Sequence, residues 1–478
     1  MFDFIPTYQS LPPVLAVLHV VVSLAVTVHA LLKKRNVRSA IAWIGLAWLS
    51  PFAGAALYYV FGINRVTRRA ARLGRAAKRA EDLSGAGAPV VPRPSGSIAI
   101  VAALGERLSQ RSLTHGNAVS ILRGGTEAYP AMLSAIQSAK RSVALASYIF
   151  RNDSVGLRFV DALADARSRG VEVRVLLDGI GAGYFFCPIA RRLANDGVPV
   201  ARFLHDWVPW RMPFLNMRNH KKLLVVDGAI GFTGGLNIGA ENVPALRPAN
   251  PVSNVHFRVE GPVVSQLMLS FAEDWDFAAG EVLDGAVWWP DLAPVGTLSA
   301  RGIGSGPDQD IEALEGVLAM ASAAARRRLR IVTPYFLPDE HLMLTIEAAA
   351  LAGVEVDVVV PERSDQRLLD WATHAHLAYF EGSGVRLHLE PPPFEHAKLM
   401  TVDGCWCLVG SANWDIRSTR LNFEFSLECY GDALATEIER MIDDRIARAR
   451  TLSPAEIAAR PMPLRLRDAA ARLFLPYL

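Results

Sequence analysis

From Val14 to Leu32 the chain reads VLAVLHVVVSLAVTVHALL, without one formally charged residue. About 20 such residues cross the hydrocarbon of a bilayer as a helix, the form in which the backbone satisfies itself where water is absent. A transmembrane helix is therefore expected. A second uncharged run, Ala40 to Phe61, follows the basic connector Lys33-Lys34-Arg35 and carries Trp43, Trp48, Tyr58 and Tyr59 toward its ends, where interfacial aromatics belong. Pro51 should kink it. With basic residues on both flanks, this run reads as a span, a re-entrant segment or an interfacial one. The first ten residues, MFDFIPTYQS, hold an acid and no Lys or Arg, unlike the start of a cleaved signal.

Past Phe61 the pattern turns basic. In INRVTRRAARLGRAAKRAEDL, Arg65, Arg68, Arg69, Arg72, Arg75, Lys78 and Arg79 recur at helix-like intervals, which predicts a collar on anionic lipid headgroups. The excess of positive charge places this end in the cytoplasm. Gly85 to Ser97, GAGAPVVPRPSGS, reads as a flexible linker.

Beyond the linker the chain repeats itself. AKRSVALASYIF, SRGVEVRVLLDG, DGVPVARFL and NHKKLLVVDGAIGFTGGLNIG are followed in the same order by ARRRLRIVTPYF, LAGVEVDVVVPE, GSGVRLHLE and EHAKLMTVDGCWCLVGSANWD. Each apolar run is short, rich in Val, Ile and Leu, and preceded by a helical pattern. This predicts α/β architecture with buried strands, in two lobes related by a pseudo-twofold axis behind an N-terminal transmembrane region. The expected division is an anchor at 1–62, basic helix and linker at 63–97, lobes at 98–300 and 301–450, and an amphipathic segment at 451–478. The first half is longer between Gly197 and His220, where FLHDWVPWRMPFLNMR brings Trp207, Trp210, Phe214 and Leu215 on a Pro-interrupted loop. These either pack over the lobe or meet acyl chains.

Composition sharpens this picture in two ways. At 478 residues and 51% hydrophobic, the chain has several domains and a concentrated apolar segment. A net charge of only +3 excludes a general nucleic-acid binder. Cys187, Cys405, Cys407 and Cys429 lack metal-binding or redox spacing and read as reduced packing residues.

The chemistry sits in two segments of the form H-x-K-x4-D: His220, Lys222, Asp227 and His396, Lys398, Asp403. Each precedes a small-residue turn and an Asn, namely Gly234-Gly235-Leu236-Asn237 and Gly410-Ser411-Ala412-Asn413. His and Lys two apart on a strand project to one face, where both reach one phosphate. The repeat then brings two imidazoles and two ammonium groups together. One histidine attacks phosphorus and the other protonates the departing alkoxide, while the lysines with Asn237, Asn413 and Ser411 hold the non-bridging oxygens. No metal or other cofactor is needed, and Asp227 and Asp403 read as turn anchors or local partners within their motifs. His19, His29, His115 and His388 stand alone and read as satisfied packing residues.

These two segments resemble the paired HKD motifs of the phospholipase D superfamily, over the whole chain after the linker. The paired N-terminal hydrophobic segments, FTGGLNIG, TPYFLPDE and GSANWDIRSTRLNFEF are similar to those of bacterial cardiolipin synthases. The resemblance implies phospholipase D-like lobes and transfer of a phosphatidyl group, through a phosphohistidine, to the free glycerol hydroxyl of phosphatidylglycerol. It also implies an acidic group orienting each histidine from the opposite lobe. Glu424 matches one such position. Asn254, in SNVHFRVEGP, stands where an Asp is usual, with Glu241 as a substitute, and Gly235 stands where the superfamily often has Ser. An amide oxygen accepts an imidazole N–H but stabilises an imidazolium less than a carboxylate does. Hydrolysis to phosphatidic acid uses the same residues and is the alternative. The partners implied are anionic phospholipids and a bacterial-type cytoplasmic membrane, with the lobes on its cytoplasmic side.

Overall fold

The computed structural model describes residues 12–34, 37–50, 52–62, 94–205, 217–307 and 313–473. The basic collar, most of the linker and the aromatic insert with Trp207, Trp210, Phe214 and Leu215 lie outside these residues.

In the N-terminal unit, α1 spans Pro13–Lys33 and is, among the described residues, the one helix long and apolar enough to cross a membrane. The second apolar run is not one continuous helix. It forms α2, Val37–Leu49, breaks, and resumes as α3, Ala53–Leu57, which runs into a π-helical turn at Tyr58–Gly62. Phe52 sits at the break with a φ of 60°. The polar side chains of this unit pair across its helices, as a low-dielectric setting demands. Ser23 donates to the Ala47 carbonyl at 2.9 Å, Trp48 Nε1 to Thr27 Oγ1 at 3.0 Å, and His29 meets Tyr58 Oη at 2.7 Å.

The remaining described residues are built around one 15-stranded sheet. In lobe one, β1 is Thr114–Arg123, β2 Ser142–Ser147, β3 Glu172–Asp178, β4 Val200–Phe203, β5 Leu223–Val226, β6 Ile230–Gly234 and β7 Val255–Glu260. β8, Leu298–Ser305, opens lobe two. It is followed by β9 Arg328–Val332, β10 Glu355–Pro361, β11 Arg386–Glu390, β12 Leu399–Val402, β13 Trp406–Gly410, β14 Glu424–Tyr430 and β15 Arg450–Leu452. Outward from the centre, lobe one runs β1-β7-β6-β5-β2-β3-β4 and lobe two runs β8-β14-β13-β12-β9-β10-β11, with β15 added at the edge. The two orders are the same. The expected boundary at 300/301 falls inside β8, which pairs antiparallel with β1 on one side and with β14 on the other.

Local sequence explains the strands. β5 (LLVV) and β12 (LMTV) are buried throughout, so they carry apolar runs instead of alternation. Each ends in Asp-Gly, and both residues take positive φ: 53° and 66° at Asp227-Gly228, 54° and 68° at Asp403-Gly404. These are the central residues of a tight turn within a three-residue loop, closed by Ala229 N–H on the Val226 carbonyl at 3.0 Å and by Cys405 N–H on the Val402 carbonyl at 3.1 Å, a conformation that Asp-Gly favours. The Asp227 carboxylate accepts the backbone N–H groups of Lys140, Arg141 and Ser142 at 2.7–3.1 Å, and Asp403 those of Arg326, Arg327 and Arg328 at 2.7–2.9 Å. The third letter of each motif thus stands a strand away from its histidine and anchors the turn to the neighbouring strand. Asp403→Ala should lower unfolding stability by about 1–2 kcal/mol, the worth of partly exposed hydrogen bonds to a charged acceptor. Activity per folded molecule should stay the same; a loss of turnover without loss of stability in denaturant titration would contradict this role.

The C-terminal helix Met462–Arg472 turns Asp468 and Ala471 inward, packing on the helix Arg367–Leu377, and leaves Met462, Leu464 and Leu466 exposed. All four cysteines are unbridged. His388 Nε2–H donates to Asp357 Oδ1 at 2.8 Å and its Nδ1 meets Thr451 Oγ1 at 3.0 Å, a satisfied buried residue.

Candidate active site

His220 and Lys222 lie on the extended approach to β5, and His396 and Lys398 on the approach to β12, just before the strands begin. Each approach is tied to the opposite lobe by backbone hydrogen bonds. His220 N–H donates to the Phe423 carbonyl at 2.9 Å, and Phe423 N–H donates to the Arg218 carbonyl at 2.8 Å. Phe394–Glu395 pairs in parallel with Val252–Ser253, and His396 N–H donates to the Ser253 carbonyl at 2.8 Å. The residue after each of these contacts is therefore delivered to a histidine of the other lobe. Glu424 follows Phe423, and Asn254 follows Ser253.

The two imidazoles face each other with ring centroids 6.4 Å apart, on a cavity of about 1120 Å³. His220 Nδ1–H donates to Glu424 Oε2 at 3.0 Å, with the Ser411 carbonyl at 3.2 Å. This places the proton on Nδ1 and leaves the Nε2 lone pair free. His396 has neutral partners: the Asn254 amide nitrogen at 3.3 Å and the Gly235 carbonyl at 3.3 Å from Nδ1. The Asn254 amide oxygen, expected to accept from the imidazole, instead takes the N–H of Val255 at 2.9 Å, while its nitrogen donates to the Gly235 carbonyl at 2.9 Å. A flipped amide would set oxygen against oxygen at Gly235, so the N–H side faces His396. Gly235 has no room for a side chain: a Cβ there would lie 2.4 Å from Asn254 Oδ1. Gly with Asn in one lobe thus answers Ser with Glu in the other.

The electrostatics follow from crowding. Burial pulls His220 down to about 4 against the attraction of Glu424, and burial with Lys398, Lys222 and His220 holds His396 well below its usual value. Lys222 is brought down to about 7 by burial, and burial with the nearby Lys222 holds Lys398 well below its usual value. The Glu424 carboxyl, which burial alone would raise, is held below its usual value by His220. Lys222 Nζ donates to the His220 carbonyl at 2.6 Å and Lys398 Nζ to the His396 carbonyl at 2.5 Å. Negative charge brought among these groups would raise their pKa values again. Among the described residues no cluster of His, Cys, Asp or Glu could hold a metal ion.

The residues expected to bind substrate divide. Asn237 and Asn413 line the cavity, Asn413 Nδ2 donating to Asp415 at 3.1 Å. Ser411 is fully buried, and its hydroxyl donates to Glu424 Oε2 at 2.6 Å, which steadies the carboxylate that orients His220. Glu241 pairs with Arg151 at 3.4 Å and serves neither histidine. Sequence reading missed Tyr148, whose ring meets His220 edge-on at 4.8 Å, and Tyr335, which hydrogen bonds Asp365. Both line the cavity. Their signal was present, since SYIF and PYF end the same block of the repeat. Asp178 was also missed; it accepts the N–H groups of Ile180, Gly181 and Asn219, the last at 2.7 Å, and so fixes the residue before His220.

Two α/β halves that turn facing histidines to one cavity, each with a buried lysine two residues on and each held from the opposite half, define a phospholipase D-type site. The chain belongs to the family described as "Cardiolipin synthase, PLD-like domain", which matches residues 132–275 and 319–446. Residues 21–62 match a second family, "Phospholipase D-nuclease N-terminal". The chain is 32% identical to cardiolipin synthase A of Pseudomonas fluorescens Pf-5, over 97% of this chain and 98% of that protein. It is 29% identical to cardiolipin synthase of Geobacillus thermodenitrificans, over 94% and 90%. Among solved structures, phosphatidylserine synthase of Haemophilus influenzae shares the fold, with a TM-score of 0.61 at 16% identity over 79% of this chain and 100% of that one. Bacterial relatives of this kind and the apolar α1 go with membrane association.

Proposed function

We propose that this chain is a phosphatidyltransferase that makes cardiolipin from phosphatidylglycerol through a phosphohistidine. The family and its cardiolipin synthase relatives support the reaction class. The observation that carries the mechanism is the pair of facing imidazoles with unlike partners. His220 Nε2, its other nitrogen bound to Glu424, attacks the donor phosphorus. The P–N bond forms as the bond to the departing alkoxide breaks, and His396 gives that oxygen its proton. Neutral His396 then takes the proton of the acceptor glycerol hydroxyl, whose oxygen displaces His220. Lys222 and Lys398 balance the charge on the non-bridging oxygens. The basic run from Arg65 to Arg79 supports a cytoplasmic location for the catalytic unit, at a bacterial-type cytoplasmic membrane.

The test is incubation of the full-length protein with labelled phosphatidylglycerol, with and without phosphatidylethanolamine, and identification of the released alcohol. Glycerol accompanied by cardiolipin is expected. Release of ethanolamine would reassign the donor, and phosphatidic acid without cardiolipin would make the enzyme a hydrolase.

A further inference from the structure

The helix Met462–Arg472 wears its apolar stripe outward. At about 100° per residue, Met462, Leu466, Ala469, Ala470 and the capping Leu473 fall on one face, the spacing of an amphipathic helix. All five are exposed, Met462 to 61%, Leu466 to 64% and Leu473 to 77%. A surface helix of a water-soluble fold turns such a stripe to the core and its charges to solvent. Here the inner side holds an ion-paired cluster. Asp468, the one acid of the helix, is buried and accepts from Arg460 Nε and Arg467 Nη2, each at 2.7 Å, and Arg467 lies over the Trp371 ring at 4.5 Å. Arg465 and Arg472 are exposed on one flank of the stripe.

We propose that this face lies on an anionic lipid surface, giving the catalytic unit a membrane contact of its own in addition to α1. An exposed apolar stripe with arginines beside it and its acid turned away complements a headgroup layer: the stripe enters the apolar boundary and the guanidinium groups meet phosphate. The lipid is at hand, since α1 of the same chain is long and apolar enough to cross a bilayer. A second copy of the chain suits the face less, because it would bring the same arginines and no acid to meet them.

The contact reaches the reacting centre through one layer of side chains. Ala471, on the inner side of the helix, belongs to one buried cluster with Tyr335, Leu337 and Leu369, and Phe394 packs against it. Those last four residues line the cavity, and the Phe394 ring lies 5.7 Å from that of His396. On the reading that the substrates are phospholipids, a helix resting on the bilayer holds this wall of the cavity close to where they lie.

The experiment places an environment-sensitive fluorophore on Leu466→Cys in the full-length protein, reconstituted in phosphatidylglycerol vesicles with and without lipids that carry a nitroxide quencher near the headgroup. Wild-type protein treated in the same way corrects for Cys405, the one partly exposed native cysteine; the other three are buried. Emission shifted to the blue and quenched by the nitroxide lipid is expected. Emission like that of a label in water, or a blue shift without quenching, which means that protein covers the face, would overturn the proposal. Activity gives a second reading. Leu466→Glu should lower cardiolipin formation in vesicles about tenfold, the worth of one large apolar side chain leaving its contact, with turnover of short-chain phosphatidylglycerol dissolved as monomers kept within about twofold. No loss in vesicles, or equal loss on both substrates, would overturn it too. Wild-type protein that makes no cardiolipin while the label is quenched would instead overturn the proposed function and leave the docking standing.

Discussion

Alanine at His220 or at His396 should each lower cardiolipin formation by about 10⁴-fold or more, the loss found when one member of an interdependent catalytic set is removed. Neither imidazole can cover for the other, because their Nδ1 partners differ. With Glu424 at 3.0 Å, His220 is held for attack; with an amide and a carbonyl, His396 is held for proton transfer. The two variants should therefore separate on a donor whose leaving group needs no proton, such as a nitrophenyl phosphodiester. Release of nitrophenol in a single turnover should survive in His396→Ala and vanish in His220→Ala. Unfolding stability should change by less than about 2 kcal/mol, since Glu424 keeps Ser411 at 2.6 Å and Asn422 at 3.1 Å. Equal loss of the nitrophenol burst in both variants would remove the division of labour.

Much of this arrangement was legible in the chain because it is periodic or repeated. Four blocks recurring in order foretold two lobes, and the recurrence of His-x-Lys in both marked His220, Lys222, His396 and Lys398. What escaped depends on contacts that leave no periodic trace. The two-residue pairing of Phe394–Glu395 with Val252–Ser253 is what carries Asn254 to His396, and family resemblance, not spacing, pointed to it. Nor does sequence say which way a short hydroxyl turns, so the bond from Ser411 to Glu424 is not legible in it. In the second apolar run hydropathy does not register the break at Phe52, whereas the preceding residue, Pro51, marks it in the sequence. Asp227 and Asp403 sit so close to the histidines in sequence that they read as part of the motif, yet a four-residue strand separates them in space.

Labelled lipid, trapped by rapid denaturation without acid so that the P–N bond survives, should leave its phosphatidyl group on the peptide containing His220. A nucleophile that becomes a cationic phosphohistidine gains most from a carboxylate on its far nitrogen. Glu424→Gln should then slow formation of the intermediate by about 10²–10⁴-fold, on the scale seen when a carboxylate orienting a catalytic histidine is replaced by its amide. Asn254→Asp should leave that step largely unchanged. It would strengthen the hold of His396 on its proton and slow release of the first alcohol instead. Label on the His396 peptide, or a larger effect at Asn254 than at Glu424, would reverse the assignment.

The crossing of Glu424 and Asn254 between the lobes has a consequence for how such a site can be assembled. Two identical halves meeting on a true twofold axis would give both histidines the same partner, and either could begin the reaction. Joined in one chain through β8, the halves are free to differ, and here they do so at one paired position, Ser411 with Glu424 against Gly235 with Asn254. Tandem fusion thus gives a symmetric scaffold a direction of reaction. It also makes the halves interdependent: a lobe expressed by itself carries a histidine whose orienting group is in the missing half, and mixing two separately inactivated chains cannot restore it without exchange of whole lobes.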